Sequence, residues 1–171
     1  MSPTSLAHLA ACGIAELPDH RDKAFTHVLT LIDPDWPEID AFCDFDAHER
    51  TIVLCHDIID PQPGKVMPDQ GHAESILDFA RTFHEEGEGE ARRVLIHCQM
   101  GVSRSTAAML ALLTQGYPGE PPSFLFERLR QIRPQAWPNS VLVAYTDDLL
   151  GFSGELVREL RAHYAHQLRA N

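Results

Sequence analysis

Three short apolar runs mark the chain at residues 26–32 (THVLTLI), 51–55 (TIVLC) and 93–97 (RVLIH). They are rich in β-branched residues and carry apolar side chains at most positions, a pattern typical of strands that are buried on both faces of a sheet. We therefore predict that the three runs form the centre of a mostly parallel β-sheet.

Helical periodicity follows between and after these runs. Residues 71–86 repeat apolar side chains at the spacing of one helix face, and residues 105–115 are so apolar that we predict a buried helix. Asn139 and Ser153 are predicted to cap the last two helices of the C-terminal half. The predicted C-terminal helices are 123–133, 140–150 and 154–170. The whole pattern predicts a single α/β domain over residues 1–171, with helices on both faces of the sheet.

Length and composition fit this interpretation. The chain has 171 residues, of which 44% are hydrophobic and 23% charged, so it has enough apolar material for one core and is unlike a disordered chain. The net charge of −11 argues against a protein that binds nucleic acid through a positive surface. Any anion site in this chain must therefore be local.

The apolar segments and the cysteines indicate a cytoplasmic protein. Each apolar stretch is too short to cross a bilayer, and residues 1–15 lack the basic start of a signal peptide. The four cysteines show no C-x-x-C spacing, so we expect reduced thiols. The sequence thus predicts no membrane partner and leaves the oligomeric state unknown.

The clearest chemical signal is the stretch HCQMGVSRS at residues 97–105, between the third strand and the buried helix. A loop that turns from a strand into a helix points backbone N–H groups inward, and the helix N-terminus adds a partial positive charge. A phosphate can therefore bind there without a basic surface. Gly101 lets the backbone approach closely, and Arg104 offers a planar guanidinium that matches two phosphate oxygens.

The same positive field acts on Cys98, at the start of this loop. Thiols at helix N-termini beside cations ionise more readily than ordinary thiols. We therefore predict that Cys98 is a nucleophile and that the hydroxyl of Ser105 hydrogen-bonds the thiolate when it leaves. The predicted substrate-binding residues are Gln99, Met100, Gly101, Val102, Ser103 and Arg104.

The motif H-C-x-x-G-x-x-R-S at 97–105 resembles the signature of the cysteine-dependent protein tyrosine phosphatases, and G-V-S-R-S is closest to their dual-specificity branch. The segment RPQAWPN at 133–139 is similar to the Pro-Asn segment of that branch, and CHDIID at 55–60 resembles a group of predicted bacterial tyrosine phosphatases. The resemblance covers roughly residues 28–150. It implies a phosphatase-like fold and hydrolysis of a phosphomonoester without metal or cofactor.

The resemblance also implies roles for individual residues. Cys98 would attack phosphorus to form a cysteinyl-phosphate that water then hydrolyses, and Arg104 would stabilise the transition state. His97 would support the thiolate through hydrogen bonds, and Asn139 would brace the loop. A histidine paired within the core is the alternative role for His97, and a plain helix cap is the alternative for Asn139.

Expulsion of the substrate oxygen requires a proton, and the resemblance places the acid that supplies it on a loop after a neighbouring strand. Asp57 follows the second strand and is the first candidate, with Asp60 second. Asp69 is the third, because its spacing of 29 residues from Cys98 matches the compact dual-specificity enzymes better than the 41 residues from Asp57. An insertion at 61–71 would account for the longer spacing, and a helix cap is the alternative role for Asp69.

Two further expectations concern cysteine and histidine. Cys55 is a candidate partner for a reversible disulfide with Cys98, although a small buried apolar residue is its more ordinary role. No pair of the ten histidines has a metal-ligand spacing with a third ligand, so we predict no metal site.

The sequence therefore predicts a cytoplasmic phosphatase that acts on a phosphorylated protein or peptide, first of all one that carries phosphotyrosine. A phosphatase of a non-protein substrate such as a phosphoinositide is an alternative, although the loop interior from Gln99 to Ser103 has no lysine to supply the extra positive charge expected for it. Two competing hypotheses are a phosphate-binding module with little turnover and a sulfur transferase, which also uses a cysteine loop.

Overall fold

The computed structural model describes residues 8–85 and 92–171. Within these ranges one sheet has the strand order β1-β4-β2-β3, and its three pairings are all parallel. The strands are β1 (Leu9–Cys12), β2 (His27–Ile32), β3 (Glu49–Leu54) and β4 (Val94–His97). Because the strands run the same way, the segments that follow β2, β3 and β4 meet at one edge of the sheet.

Five α-helices are present at the predicted places, each within one residue of its predicted bounds. They are α1 (Gln70–Glu85), α2 (Arg104–Gly116), α3 (Pro122–Ile132), α4 (Ser140–Leu150) and α5 (Glu155–Ala170). In the described part of the chain, none of these helices combines the length and the apolar character needed to cross a bilayer.

The two faces of the sheet are covered by different kinds of element. Leu29, Leu31 and Ile96 belong to a core that all five α-helices share. Val28 and Leu95, at the alternate strand positions, belong to a smaller core on the opposite face. That face is covered by two short 3₁₀ helices, Ile14–His20 and Asp40–Asp44, so helices cover both faces of the sheet as predicted.

One of the two predicted caps is confirmed and the other is wrong. The side-chain oxygen of Asn139 accepts two backbone N–H groups at the start of α4, at 3.0 and 3.1 Å. Ser153 does not cap α5. The buried carboxylate of Asp147 takes that role, since it accepts three backbone N–H groups at the start of α5, at 2.7 to 3.2 Å.

The segment after β1 packs against the loop between β4 and α2. The N–H of Ile14 donates to the carbonyl of Gln99 at 3.0 Å, and the N–H of Cys98 donates to the carbonyl of Cys12 at 3.3 Å. Gly101 has a φ of +71°, and a Cβ there would lie 2.3 Å from the carbonyl carbon of Cys12. Only glycine therefore fits at this point of the loop.

An ion pair holds the two segments together. Nη1 and Nη2 of Arg133 donate to the two carboxylate oxygens of Glu16 at 2.7 and 2.6 Å, while Nε donates to the carbonyl of Gly101 at 2.9 Å. The hydrogen bond from Arg133 is the main reason that the pKa of Glu16 lies below its ordinary value. Nothing in the local sequence signals this pair, because its members are 117 residues apart.

We predict that Glu16→Gln lowers the free energy of unfolding by about 1–2 kcal/mol at pH 7, because the amide removes one acceptor and the negative charge. Urea unfolding of the two proteins measures this difference in the free energy of unfolding. Since folding lowers the pKa of Glu16, its contribution is present above the ordinary value of 4.5 and is lost as the pH falls, so the two proteins should converge in acid.

The control is Asp78→Asn, which breaks an exposed ion pair with Arg81 (3.0 Å) and should change the stability by less than about 0.5 kcal/mol. Equal losses from the two substitutions would contradict a special role for the Glu16–Arg133 pair.

Candidate active site

A cavity of about 470 Å³ lies where the loop between β4 and α2 meets the segment that follows β3. It contains the three residues for which the sequence predicts a catalytic role, Cys98, Arg104 and Asp57. The cavity is lined by Asp57, Cys98, Gln99, Met100, Val102, Ser103, Arg104 and Trp137.

The sulfur of Cys98 is held by the start of α2. Cys98 is 2% exposed, its Sγ accepts the N–H of Gly101 at 3.2 Å, and the hydroxyl oxygen of Ser105 lies 3.2 Å from Sγ. As a thiol, Cys98 donates to this hydroxyl; once ionised, the sulfur can accept from it. A backbone N–H and a hydroxyl thus both lie within hydrogen-bond distance of this sulfur, beside the N-terminus of α2.

One nitrogen of the Arg104 guanidinium is hydrogen-bonded to protein groups, and the residue also lines the cavity. Arg104 is 2% exposed, and Nη1 donates to a carboxylate oxygen of Asp33 at 2.7 Å and to the backbone carbonyl of Cys55 at 2.6 Å. Nε is buried and has no hydrogen-bond partner among residues 8–85 and 92–171. Because a buried donor without a partner is unfavourable and Arg104 lines the cavity, its guanidinium is suited to bind an anion there.

Asp33 is a site residue that the sequence pattern did not indicate to us. It comes directly after β2, and its ion pair with Arg104 holds the guanidinium in place. A carboxylate just after a strand that ends beside this loop is the signal that could have identified it.

His97 is fully buried and connects the loop to β2. Its Nε2 lies 2.7 Å from the hydroxyl of Thr30, and its Nδ1 lies 3.3 Å from the backbone carbonyl of Cys98. The carbonyl can only accept, so in the neutral ring Nδ1 donates to it and Nε2 accepts the proton of the Thr30 hydroxyl, which also accepts from Arg50 at 3.1 Å. Burial lowers the pKa of His97 to about 4, so the ring is neutral at pH 7. The hydrogen bond from His97 to Cys98 is thus made with the backbone carbonyl of that residue.

Asp57, which lines this cavity, accepts hydrogen bonds from two side chains. The hydroxyl of Ser103 donates to Oδ1 of Asp57 at 2.6 Å, and the amide of Asn139 donates to the same oxygen at 3.0 Å. The backbone N–H of Asn139 also donates to the carbonyl of Ser103 at 3.2 Å. Asn139 therefore contacts the loop and Asp57 as well as capping α4.

The other predicted candidates lie outside this cavity. Asp60 lines an adjoining cavity. Asp69 accepts the N–H of His72 at 3.1 Å as a cap of α1, which is the alternative role that we gave it. Burial raises the pKa of the Cys55 thiol to about 11, and a disulfide between Cys55 and Cys98 stays a prediction.

Among the described residues, one group offers three metal-ligand atoms within 4.8 Å of one another: Asp33, Asp35 and His56. Asp33 is paired with Arg104. The Nδ1 of His56 accepts the N–H of Val66 at 2.8 Å, so the neutral ring carries its proton on Nε2, the nitrogen that faces Asp35. A metal would have to displace both the ion pair and this proton.

Comparison with known proteins shows similarity to phosphatases. No protein-family model matches the chain. Human dual specificity protein phosphatase 12 is 33% identical over 132 residues, which is 75% of this chain and 34% of that protein. Mouse protein phosphatase Slingshot homolog 3 is 32% identical over 85 residues, 50% of this chain and 12% of that protein. The chain thus spans about a third or less of the length of these relatives.

Solved structures share the fold at lower sequence identity. The PTP-2 phosphatase of Cydia pomonella has a TM-score of 0.61 and 22% identity, over 85% of this chain and 88% of that one. PTPMT1, crystallised with PI(5)P, has a TM-score of 0.55 and 16% identity, over 85% and 94%. Membership of a bacterial group stays a prediction. The curated relatives and the solved structures agree: the chain is similar in sequence to dual-specificity phosphatases and has the fold of the protein tyrosine phosphatases.

Proposed function

We propose that this protein hydrolyses phosphomonoesters by a two-step reaction in which Cys98 is the nucleophile and Asp57 the general acid. The observation that carries this proposal is the pairing of two buried groups in one cavity. One is a sulfur that accepts the N–H of Gly101, and the other is the Nε of Arg104, which lacks a partner within the described residues. A phosphate is the ligand that satisfies both, since it offers an electrophilic phosphorus and anionic oxygens.

In the first step the Cys98 thiolate attacks phosphorus, so an S–P bond forms and the bond from phosphorus to the leaving oxygen breaks. That oxygen takes a proton from Asp57. The side chains of Ser103 and Asn139 both donate to Oδ1, which leaves Oδ2 to carry this proton. The Nε of Arg104 and the N–H groups of the loop stabilise the negative charge of the transferring group.

In the second step water attacks the cysteinyl-phosphate. The Asp57 carboxylate takes a proton from that water, and the S–P bond breaks. The hydroxyl of Ser105, 3.2 Å from Sγ, donates to the departing thiolate. The reaction releases inorganic phosphate, and the thiolate and the protonated acid are restored.

We propose a phosphorylated protein or peptide as the substrate, and phosphotyrosine as the first candidate. Trp137 is 38% exposed and Met100 is 70% exposed at the cavity, which suits an aromatic ring between the phosphate and the polypeptide. Among the described residues, Arg104 is the only cation that lines this cavity, so a substrate with several phosphates would lack counter-charges there. This disfavours a phosphoinositide.

We propose one phosphatase domain over residues 1–171 and a cytoplasmic location, where thiols remain reduced. Cys12, Cys43, Cys55 and Cys98 are free thiols in the structure.

We predict that Cys98→Ser abolishes hydrolysis of phenyl phosphate with a metal chelator present throughout. Asp57→Asn should lower kcat by about 100- to 1000-fold and remove the loss of rate at high pH, because that loss reflects deprotonation of the acid. Asp69→Asn is the control. Asparagine also caps helices, so its activity should stay within about twofold of the wild type.

Other outcomes select the competing functions. A strong loss from Asp69→Asn with little from Asp57→Asn would assign the acid to Asp69. A wild type that binds a phosphopeptide without hydrolysing any phosphomonoester would indicate a binding module, and one that hydrolyses only a phosphoinositide would overturn the protein substrate.

The hydrogen bond from Ser103 to Asp57 gives a separate prediction. Ser103→Ala should lower kcat about tenfold for phenyl phosphate and less for p-nitrophenyl phosphate, because the better leaving group needs less protonation. Steady-state rates on both substrates measure this difference, with Ser75→Ala on α1 as the control for loss of a hydroxyl. Equal losses on the two substrates would mean that Ser103 does not act through the acid.

A further inference from the structure

A second cavity, of about 370 Å³, adjoins the one that contains Cys98. The two cavities share Asp57, Ser103 and Trp137. Because they have a common wall, a polypeptide that places its phosphorylated residue in the first cavity brings a flanking side chain to the second. The second cavity is therefore placed to select substrates by the residue next to the phosphorylated one.

An aromatic pair forms a rigid part of the wall. The rings of Trp137 and Tyr164 are stacked, with centroids 4.2 Å apart and an angle of 17° between their planes. The hydroxyl of Tyr164 donates to the carbonyl of Pro138, and the backbone N–H of Trp137 donates to the carbonyl of Val102 at 2.9 Å. Burial raises the pKa of Tyr164 to about 12, so the ring stays an uncharged phenol.

The charge of the second cavity is negative. Its lining includes the carboxylates of Asp57 and Asp60, and the described residues contribute no lysine, arginine or histidine to it. Asp57 is held by Ser103 and Asn139. Asp60 is exposed and makes no ion pair or side-chain hydrogen bond within residues 8–85 and 92–171. Its negative charge is therefore not compensated by the described part of the protein.

We propose that the second cavity binds a lysine or arginine side chain that flanks the phosphorylated residue of the substrate. A cation there would pair with Asp60 and contact the Trp137–Tyr164 pair, both of which favour positive charge. An acidic side chain would face Asp60 with no cation beside it. This inference rests on the proposed phosphatase function and narrows its substrate class to phosphopeptides with basic flanking residues.

The net charge of the whole chain also favours basic substrates over acidic ones. A chain with net charge −11 attracts basic segments and repels acidic ones during encounter. A test must therefore separate the local effect of Asp60 from this general field.

The test uses three phosphotyrosine peptides of equal length that carry lysine, glutamine or glutamate on both sides of the phosphotyrosine. For the wild type we expect kcat/KM to fall in that order, with about a three- to tenfold difference between lysine and glutamine. For Asp60→Asn, the ratio of kcat/KM on the lysine peptide to that on the glutamine peptide should lie within about twofold of one. For Asp60→Lys, the order of the three peptides should be inverted, because the contact then becomes repulsive for lysine. Asp60 is exposed, so neither change threatens the fold.

The control is Asp148→Asn on α4, which removes one exposed negative charge elsewhere and should keep the wild-type ratio. A ratio that falls equally in the two asparagine variants would overturn the local site and leave only the general field. Equal kcat/KM on the three peptides, or a lysine preference that survives Asp60→Lys, would also overturn it.

Hydrolysis of p-nitrophenyl phosphate separates this inference from the function on which it rests. A wild type that hydrolyses this small substrate but does not discriminate among the peptides contradicts the second cavity alone. A wild type that does not hydrolyse it contradicts the phosphatase function, and the inference fails with it.

Discussion

The close approach of Gly101 to the backbone of Cys12 is the contact on which the site depends. It is possible only without a side chain, since a Cβ would lie 2.3 Å from the carbonyl carbon of Cys12. In this position the N–H of Gly101 donates to the sulfur of Cys98, and its carbonyl accepts from Arg133. Arg133 in turn binds Glu16, so the conformation of the loop is fixed by the segment behind it. The sulfur of Cys98, the nucleophile that we propose, is thus oriented by backbone that lies outside the cavity.

The charged groups that shape the cavity of Cys98 act on it at short range. We propose that a chain of net charge −11 binds an anion through the N-terminus of α2 and the guanidinium of Arg104, which begins that helix. Asp33 and the carbonyl of Cys55 hold one nitrogen of Arg104, and a second nitrogen is left for the anion. Fixing the guanidinium before the substrate arrives reduces the reorganisation that the reaction requires. In our proposal, the negative second cavity then selects basic side chains beside the bound phosphate.

Local sequence patterns predicted most of the fold and the centre of the site. The helices, three of the strands and the cap at Asn139 follow from periodicity and from residues that are neighbours in the chain. Strand β1 was missed because LAAC is short and built of small residues, and Asp147 was missed as a cap because it reaches α5 across a turn. Asp33 and the Glu16–Arg133 pair depend on contacts between distant segments. For the same reason the sequence left three aspartates open, whereas the fold brings only Asp57 to the cavity of Cys98.

The central claim is that the phosphoryl group passes through the sulfur of Cys98. Rapid acid quenching during turnover of p-nitrophenyl phosphate, followed by mass spectrometry of the digested protein, tests it most directly. We predict that the peptide containing Cys98 gains the mass of one phosphoryl group, that Asp57→Asn accumulates more of this species because its breakdown is slowed, and that Cys98→Ser shows none. Full turnover by the wild type with no phosphoryl group on Cys98 at any quench time would contradict the account.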